Sequence, residues 1–276
     1  MPDTRTPVAA IVTTAVVAVV LLVLTAFAAL RPTGSEPWTM GEQVTEQRPT
    51  TSVSEVAGAP RPTVPQVADG AVPASGTGAT AAVSTRADAE WATAVAGATG
   101  IPPVAAQAYG DAVLALAAED PGCGLGWTTL AAIGAIESGH GTHGGSVLGP
   151  TGRADPPILG PALDGAGVAA IRASPASTAM HADPVWEHAV GPLQFLPSTW
   201  ARWAVDADAD GAADPQDLDD AALAAGRYLC AGDRDLGQPE GWRGAVLSYN
   251  RSEAYVADVL AVAVEYARVA TAVHGR

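Results

Sequence analysis

Glu137 is the residue of this chain with the clearest chemical promise. It closes an apolar run, WTTLAAIGAIESGHG, from Trp127 to Gly141. Leu130, Ile133, Gly134 and Glu137 recur at helical spacing and share one face. Gly139 and Gly141 then end the helix. A carboxyl group there faces the negative end of the helix dipole and lies beside apolar side chains. Both effects disfavour its ionisation, which suits a general acid near neutral pH. The plain alternative is a polar helix end turned to water.

Two further stretches carry groups that could hold a sugar. In GPLQFLPSTW, Gly191 to Trp200, Gln194 follows a Gly-Pro turn with an amide that both donates and accepts. In SYN, Ser248 to Asn250, Tyr249 offers a ring for a sugar face and Asn250 an amide for an acetamido group. Phe195, Trp200, Trp203 and Tyr255 suit a core better, and Ser138 has no distinct role beyond its place beside the acid. His140 and His143 follow Glu137 in a glycine-rich loop, but H-E-x-x-H order is absent, which argues against a zinc peptidase. His181, His188 and His274 lack ligand spacing.

A second cluster is acidic. Asp206, Asp208, Asp210, Gly211, Asp214 and Asp217 read D-x-D-x-D-G-x-x-D-x-x-D, the spacing of EF-hand positions 1, 3, 5, 6, 9 and 12. The expected metal set is Asp206, Asp208, Asp210, the Ala212 carbonyl and Asp217. Asp217 stands where a bidentate Glu is usual, so modest calcium affinity is expected. Seven carboxylates fall within residues 206–220 with no cation among them, and would repel one another without a metal. A solvated turn ahead of a helix capped by Asp is the competing reading.

In order, IESGHG, AVGPLQFLPSTW, the acidic loop, GRYLC and LSYNRSEAYV resemble lytic murein transglycosylases of the membrane-bound B type. The likeness is greatest to the shorter exported forms of high-GC Gram-positive bacteria, and it extends over Cys123 to Tyr266. It implies an all-α, lysozyme-like fold (α+β at most) with an EF-hand-like structural calcium site. It also implies cleavage of peptidoglycan between N-acetylmuramic acid and N-acetylglucosamine, leaving 1,6-anhydro ends. Glu137 would act alone as acid and then base, with Gln194, Tyr249 and Asn250 binding the glycan. PPILGPALDG, Pro156 to Gly165, fits the family. Ala170 to Val190 departs from it, having Ser, Pro and Ala where relatives carry an Asp- and Gly-rich stretch. A hydrolytic muramidase on the same fold and a non-catalytic wall-binding module are the rival functions.

The rest of the chain must place this domain. Val8 to Leu30 is an uncharged apolar run of 23 residues, longer than the roughly 20 that span a bilayer. It reads as a membrane anchor over residues 1–30, with Ala26-Phe27-Ala28 as a cleavage pattern if it is a signal peptide. Residues 31–86 are rich in Pro, Thr, Ser and Ala without periodicity. They read as a disordered linker able to span roughly 40 Å. Residues 87–274 then suit one domain, monomeric and on the extracytoplasmic side, with helices expected near 88–98, 103–119, 127–138, 194–204, 219–230 and 252–272. Cys123 and Cys230, if joined, would tie the acid's helix to the helix after the acidic loop; free thiols are the alternative. The net charge of −15 argues against nucleic acid. All fourteen basic side chains are Arg, a coding bias rather than a function.

Overall fold

A computed structural model describes Val72 and residues 86–274. The expected anchor, and the linker apart from Val72 and Arg86, lie outside the described residues. No described helix is long and apolar enough to cross a membrane. Val72 is partly buried and packs against the core.

Among the described residues there are eight α-helices and one two-stranded hairpin, the all-α class expected. The helices are α1 Ala89–Thr99, α2 Pro103–Glu119, α3 Trp127–Ser138, α4 Pro175–His181, α5 Pro197–Trp203, α6 Leu218–Cys230, α7 Pro239–Tyr249 and α8 Glu253–His274. The strands β1 Val147–Leu148 and β2 Ala154–Asp155 pair antiparallel. Local chemistry sets the ends. Asp88 caps α1 by accepting from the Glu90 and Trp91 amides, and Asp217 caps α6 by accepting from Asp219 N–H. Pro opens α2, α4, α5 and α7 at a position whose N–H would be unpaired anyway.

Two helices were not anticipated, although both carry start signals. At α4, Ser174 and Ser177 form a reciprocal capping box ahead of Pro175. Pro239 marks α7. The helix expected from residue 194 begins at Pro197 instead. Residues 190–195 form a turn closed by Val190 and Phe195, each amide donating to the other's carbonyl.

Helix α3 is the hub, packed by α2, α6 and α8. It is buried on every side from Trp127 to Gly134, so its run has no polar face until Glu137. Gly134 lets α2 approach: a Cβ there would lie 2.0 Å from Tyr109 Oη. The two cysteines are bonded, with Cα atoms 5.4 Å apart. The bridge joins the segment entering α3 to the end of α6.

Candidate active site

Glu137 lies in the last turn of α3, two residues before Gly139, whose left-handed conformation ends the helix. The glutamate is half-buried. Burial raises its pKa to about 7, and the Tyr255 hydroxyl, donating to Oε1 at 2.6 Å, pulls it partly back. No carboxylate among the described residues contributes to that shift. Tyr255 comes from the first turns of α8 and is fully buried, so acid and partner sit on two helices that pack directly together.

The turn around Gln194 is bolted to the same helix end. Ser138 Oγ donates to the Pro192 carbonyl at 2.6 Å and accepts from Gly141 N–H at 2.7 Å. Gln194 has φ +49° and its side-chain amide donates to Gly191 O at 2.9 Å. Its Oε1 faces Gly160, where a Cβ would come within 2.7 Å. Gly191 itself is irreplaceable on geometry. At φ +79° a Cβ would lie 1.7 Å from the Pro215 carbonyl oxygen. Gly191→Ala should therefore cost about 2–4 kcal/mol and displace the Gln194 turn. Gly244, a helical glycine with nothing within 4 Å of its Cβ position, should tolerate Ala or gain up to about 1 kcal/mol. Thermal unfolding of the two variants checks the contrast.

The third motif lies at the junction of α7 and α8. Asn250 is the C-cap of α7, only 7 % exposed, and no described residue engages its side-chain amide. Tyr249 differs from expectation. It is wholly enclosed, with its hydroxyl donating to Leu193 O at 2.8 Å. Its ring lies near Phe195 and Tyr228 and is not available to a sugar face. Its place is beneath the Gln194 turn, as a support.

The acidic loop brings together Asp206, Asp208 and Asp220, which have carboxylate oxygens within 4.8 Å of one another. Asp220 lies outside the EF-hand spacing, which pointed to Asp217. Asp217 caps α6, its Oδ1 accepting from Asp219 N–H, and Asp206, Asp208, Asp210 and Asp214 accept from loop amides. Asp220 is 1 % exposed and accepts from the Ala207 and Asp214 amides. Burial first, then Asp208, Asp206 and Asp210, raises its pKa to about 7. Three converging oxygen donors of one sign, one of them buried, fit a hard divalent cation.

The stretch that departs from the resembled family has its own order. Leu163, Ile171 and Glu187 exchange backbone hydrogen bonds, and α4 projects from between them. Within it, buried Glu187 accepts from His181 at 2.9 Å, while Asp183 accepts from His188 at 3.1 Å and from the Val185 amide. Both carboxylates are thereby occupied, and neither is offered to Glu137.

Residues 176–243 match the family model of the transglycosylase SLT domain. The match supports a lytic transglycosylase family, a class that acts on peptidoglycan, and a mostly helical domain with one small hairpin is consistent with it. It takes in Gln194 and the acidic loop; Glu137 precedes it, and Tyr249 and Asn250 follow it. No curated protein and no solved structure matches the chain.

Of the residues expected at a transglycosylase site, the structure ties the Gln194 turn to the helix end that bears Glu137 and sinks Tyr249 beneath that turn, while Asn250 caps α7. Sequence reasoning missed Tyr255 as a partner of the acid, because an aromatic at helical spacing reads as core. It also missed Asp220, which lies three residues beyond the EF-hand pattern.

Proposed function

We propose that this protein is a lytic transglycosylase of the membrane-bound B type, cleaving the β-1,4 bond from N-acetylmuramic acid to N-acetylglucosamine. The observation that carries the reading is a half-buried Glu137, raised to about 7 with no carboxylate partner among the described residues, against Tyr255. Two-carboxylate glycosidases hold their pair roughly 5–9.5 Å apart, where a second charge would bear on the first. A lone acid suits a reaction in which the substrate supplies the second group. Glu137 gives its proton to the glycosidic oxygen as that bond breaks. The acetamido oxygen of the muramoyl residue stabilises the developing cation, and Asn250 or Gln194 orients it. The muramoyl 6-hydroxyl then attacks the anomeric carbon and returns a proton to Glu137. No water is consumed, and the product is a 1,6-anhydro sugar. The test is mass spectrometry of fragments released from purified peptidoglycan by the full chain. Anhydro-muramoyl ends are expected. Reducing ends, heavier by one water, would make it a hydrolase, and no fragments would point to a binding module.

We propose also that calcium is held by Asp206, Asp208 and Asp220 with loop carbonyls, and that it acts structurally by neutralising a buried carboxylate at the start of α6. Saturating calcium should then stabilise the fold by about 2.7 kcal/mol at a hundredfold excess over Kd. Asp220→Asn should abolish that gain. Asp217→Ala should keep it while losing about 1 kcal/mol of helix capping. Unfolding temperatures that do not change between calcium and chelator would sink the proposal. The apolar run Val8 to Leu30 and the following linker we assign to membrane tethering and reach on the extracytoplasmic side.

A further inference from the structure

Directly after Glu137, Gly139, His140 and Gly141 run left-handed in succession, with φ 59°, 59° and 81°. Glycine takes this conformation freely, whereas a side chain at His140 costs about 1–2 kcal/mol. The histidine is nonetheless there, and it is 7 % exposed. Its Nδ1 lies 3.1 Å from the Tyr109 hydroxyl on α2, and its Nε2 lies 2.9 Å from the Tyr266 hydroxyl on α8.

The proton order along this chain follows from Tyr109. That hydroxyl is wholly enclosed, and among the described residues its one hydrogen-bond partner is His140. Its proton must therefore go to Nδ1, since an unused buried donor costs about 1–3 kcal/mol. Nδ1 then accepts, Nε2 carries the ring hydrogen, and that hydrogen is donated to Tyr266. Burial holds the imidazole neutral, with its pKa lowered to about 4.

The same residues close the turn that bears the acid. His140 N–H donates to Gly134 O at 2.8 Å and Gly139 N–H to Ala135 O at 3.0 Å, with Glu137 between them. Tyr109 Oη touches both ends of that closure, because Gly134 lies directly under it. Tyr266 and Tyr255 are eleven residues apart on α8, about three turns, so they share one face.

We infer that His140 is a positioning residue: as the neutral Nε2–H tautomer between Tyr109 and Tyr266, it locks the last turn of α3 to α2 and α8 and fixes the Glu137 carboxyl against Tyr255. The inference rests on the reading of Glu137 as the acid.

Three measurements on the full chain test it. Nitrogen-15 spectra of histidine-labelled protein should show one imidazole, absent in His140→Gly, with Nε2 protonated and Nδ1 bare at neutral pH. Tyr266→Phe keeps the ring and removes only the hydroxyl. It should lower kcat on peptidoglycan roughly tenfold at unchanged KM, the size of effect that slight misplacement of a catalytic group produces. The carbon-13 titration of the Glu137 carboxyl should move in the same variant. An Nδ1–H tautomer would overturn the inference, as would a folded Tyr266→Phe with wild-type kcat and an unmoved Glu137 titration. If the wild type released no fragments but the Glu137 titration still moved, the positioning role would stand and the transglycosylase reading would fall. Should Tyr266→Phe fail to fold, the tautomer of the wild type decides.

Discussion

Glu137→Gln is expected to leave a folded protein that releases glycan fragments at least about a thousandfold more slowly, within the range that positioned acid catalysis supplies. Glutamine keeps the size of the side chain and can still accept from Tyr255, so the loss isolates the proton. Activity of the wild type should follow that proton. An acid with its pKa at about 7 is protonated and neutral below that pH, ready to donate, and loses its proton above it. Cleavage should therefore decline on the alkaline side, about tenfold per pH unit once well past the midpoint. The same shift acts on stability. The folded state holds the Glu137 proton more tightly than the unfolded chain, where a glutamate titrates near 4.5. Its contribution is fully present below that value and is lost as pH rises through about 7. Glu137→Gln has nothing to ionise and should be more heat-stable than the wild type at pH 8 but not at pH 4, each kcal/mol being worth about 2–4 °C. Fragment release and unfolding scans across pH measure both. Equal unfolding temperatures at pH 8 would show that the carboxyl is not strained by burial.

The second large effect is the loss of the Cys123–Cys230 bond. The linked residues are 107 apart in sequence, so the bond removes much of the freedom of the unfolded chain. Replacing both cysteines by Ser should cost about 4–5 kcal/mol on the chain-entropy account. That corresponds to a fall of roughly 10–20 °C in unfolding temperature. The consequence reaches the site, because Cys123 leads into α3 and its carbonyl accepts from Leu236 N–H at 2.6 Å. The double variant should lose activity at temperatures where the wild type keeps it, and reductant should shift the wild type toward the variant. Identical unfolding with and without reductant would remove the bond from the account.

The helices were legible where a long apolar period and a terminal signal coincide, as at α2, α3, α6 and α8. The short ones were harder. Seven residues give α4 barely two turns of periodicity, and it was its capping box, not its pattern, that could have revealed it. At residue 194 the helical reading failed for a local reason. Two-way pairing of Val190 with Phe195 holds Gln194 left-handed, and the helix restarts at Pro197.

What the sequence by itself determined is the type and near spacing of the groups proposed to react and to bind. A carboxyl at the end of an apolar run, an amide after Gly-Pro, an amide after Tyr and a loop of alternating aspartates are statements of residue type and near spacing. Which groups touch was decided only in three dimensions. Tyr255 reaches Glu137 across 118 residues and Tyr266 reaches His140 across 126. Asp220, which the EF-hand spacing does not include, gathers with Asp206 and Asp208, while Asp217 caps the start of α6. Tyr249 passed from a presumed sugar platform to a buried support. The physical reason is common to all four. A side chain's chemistry travels with its residue type, but its partner, its exposure and its proton affinity depend on what distant helices bring against it.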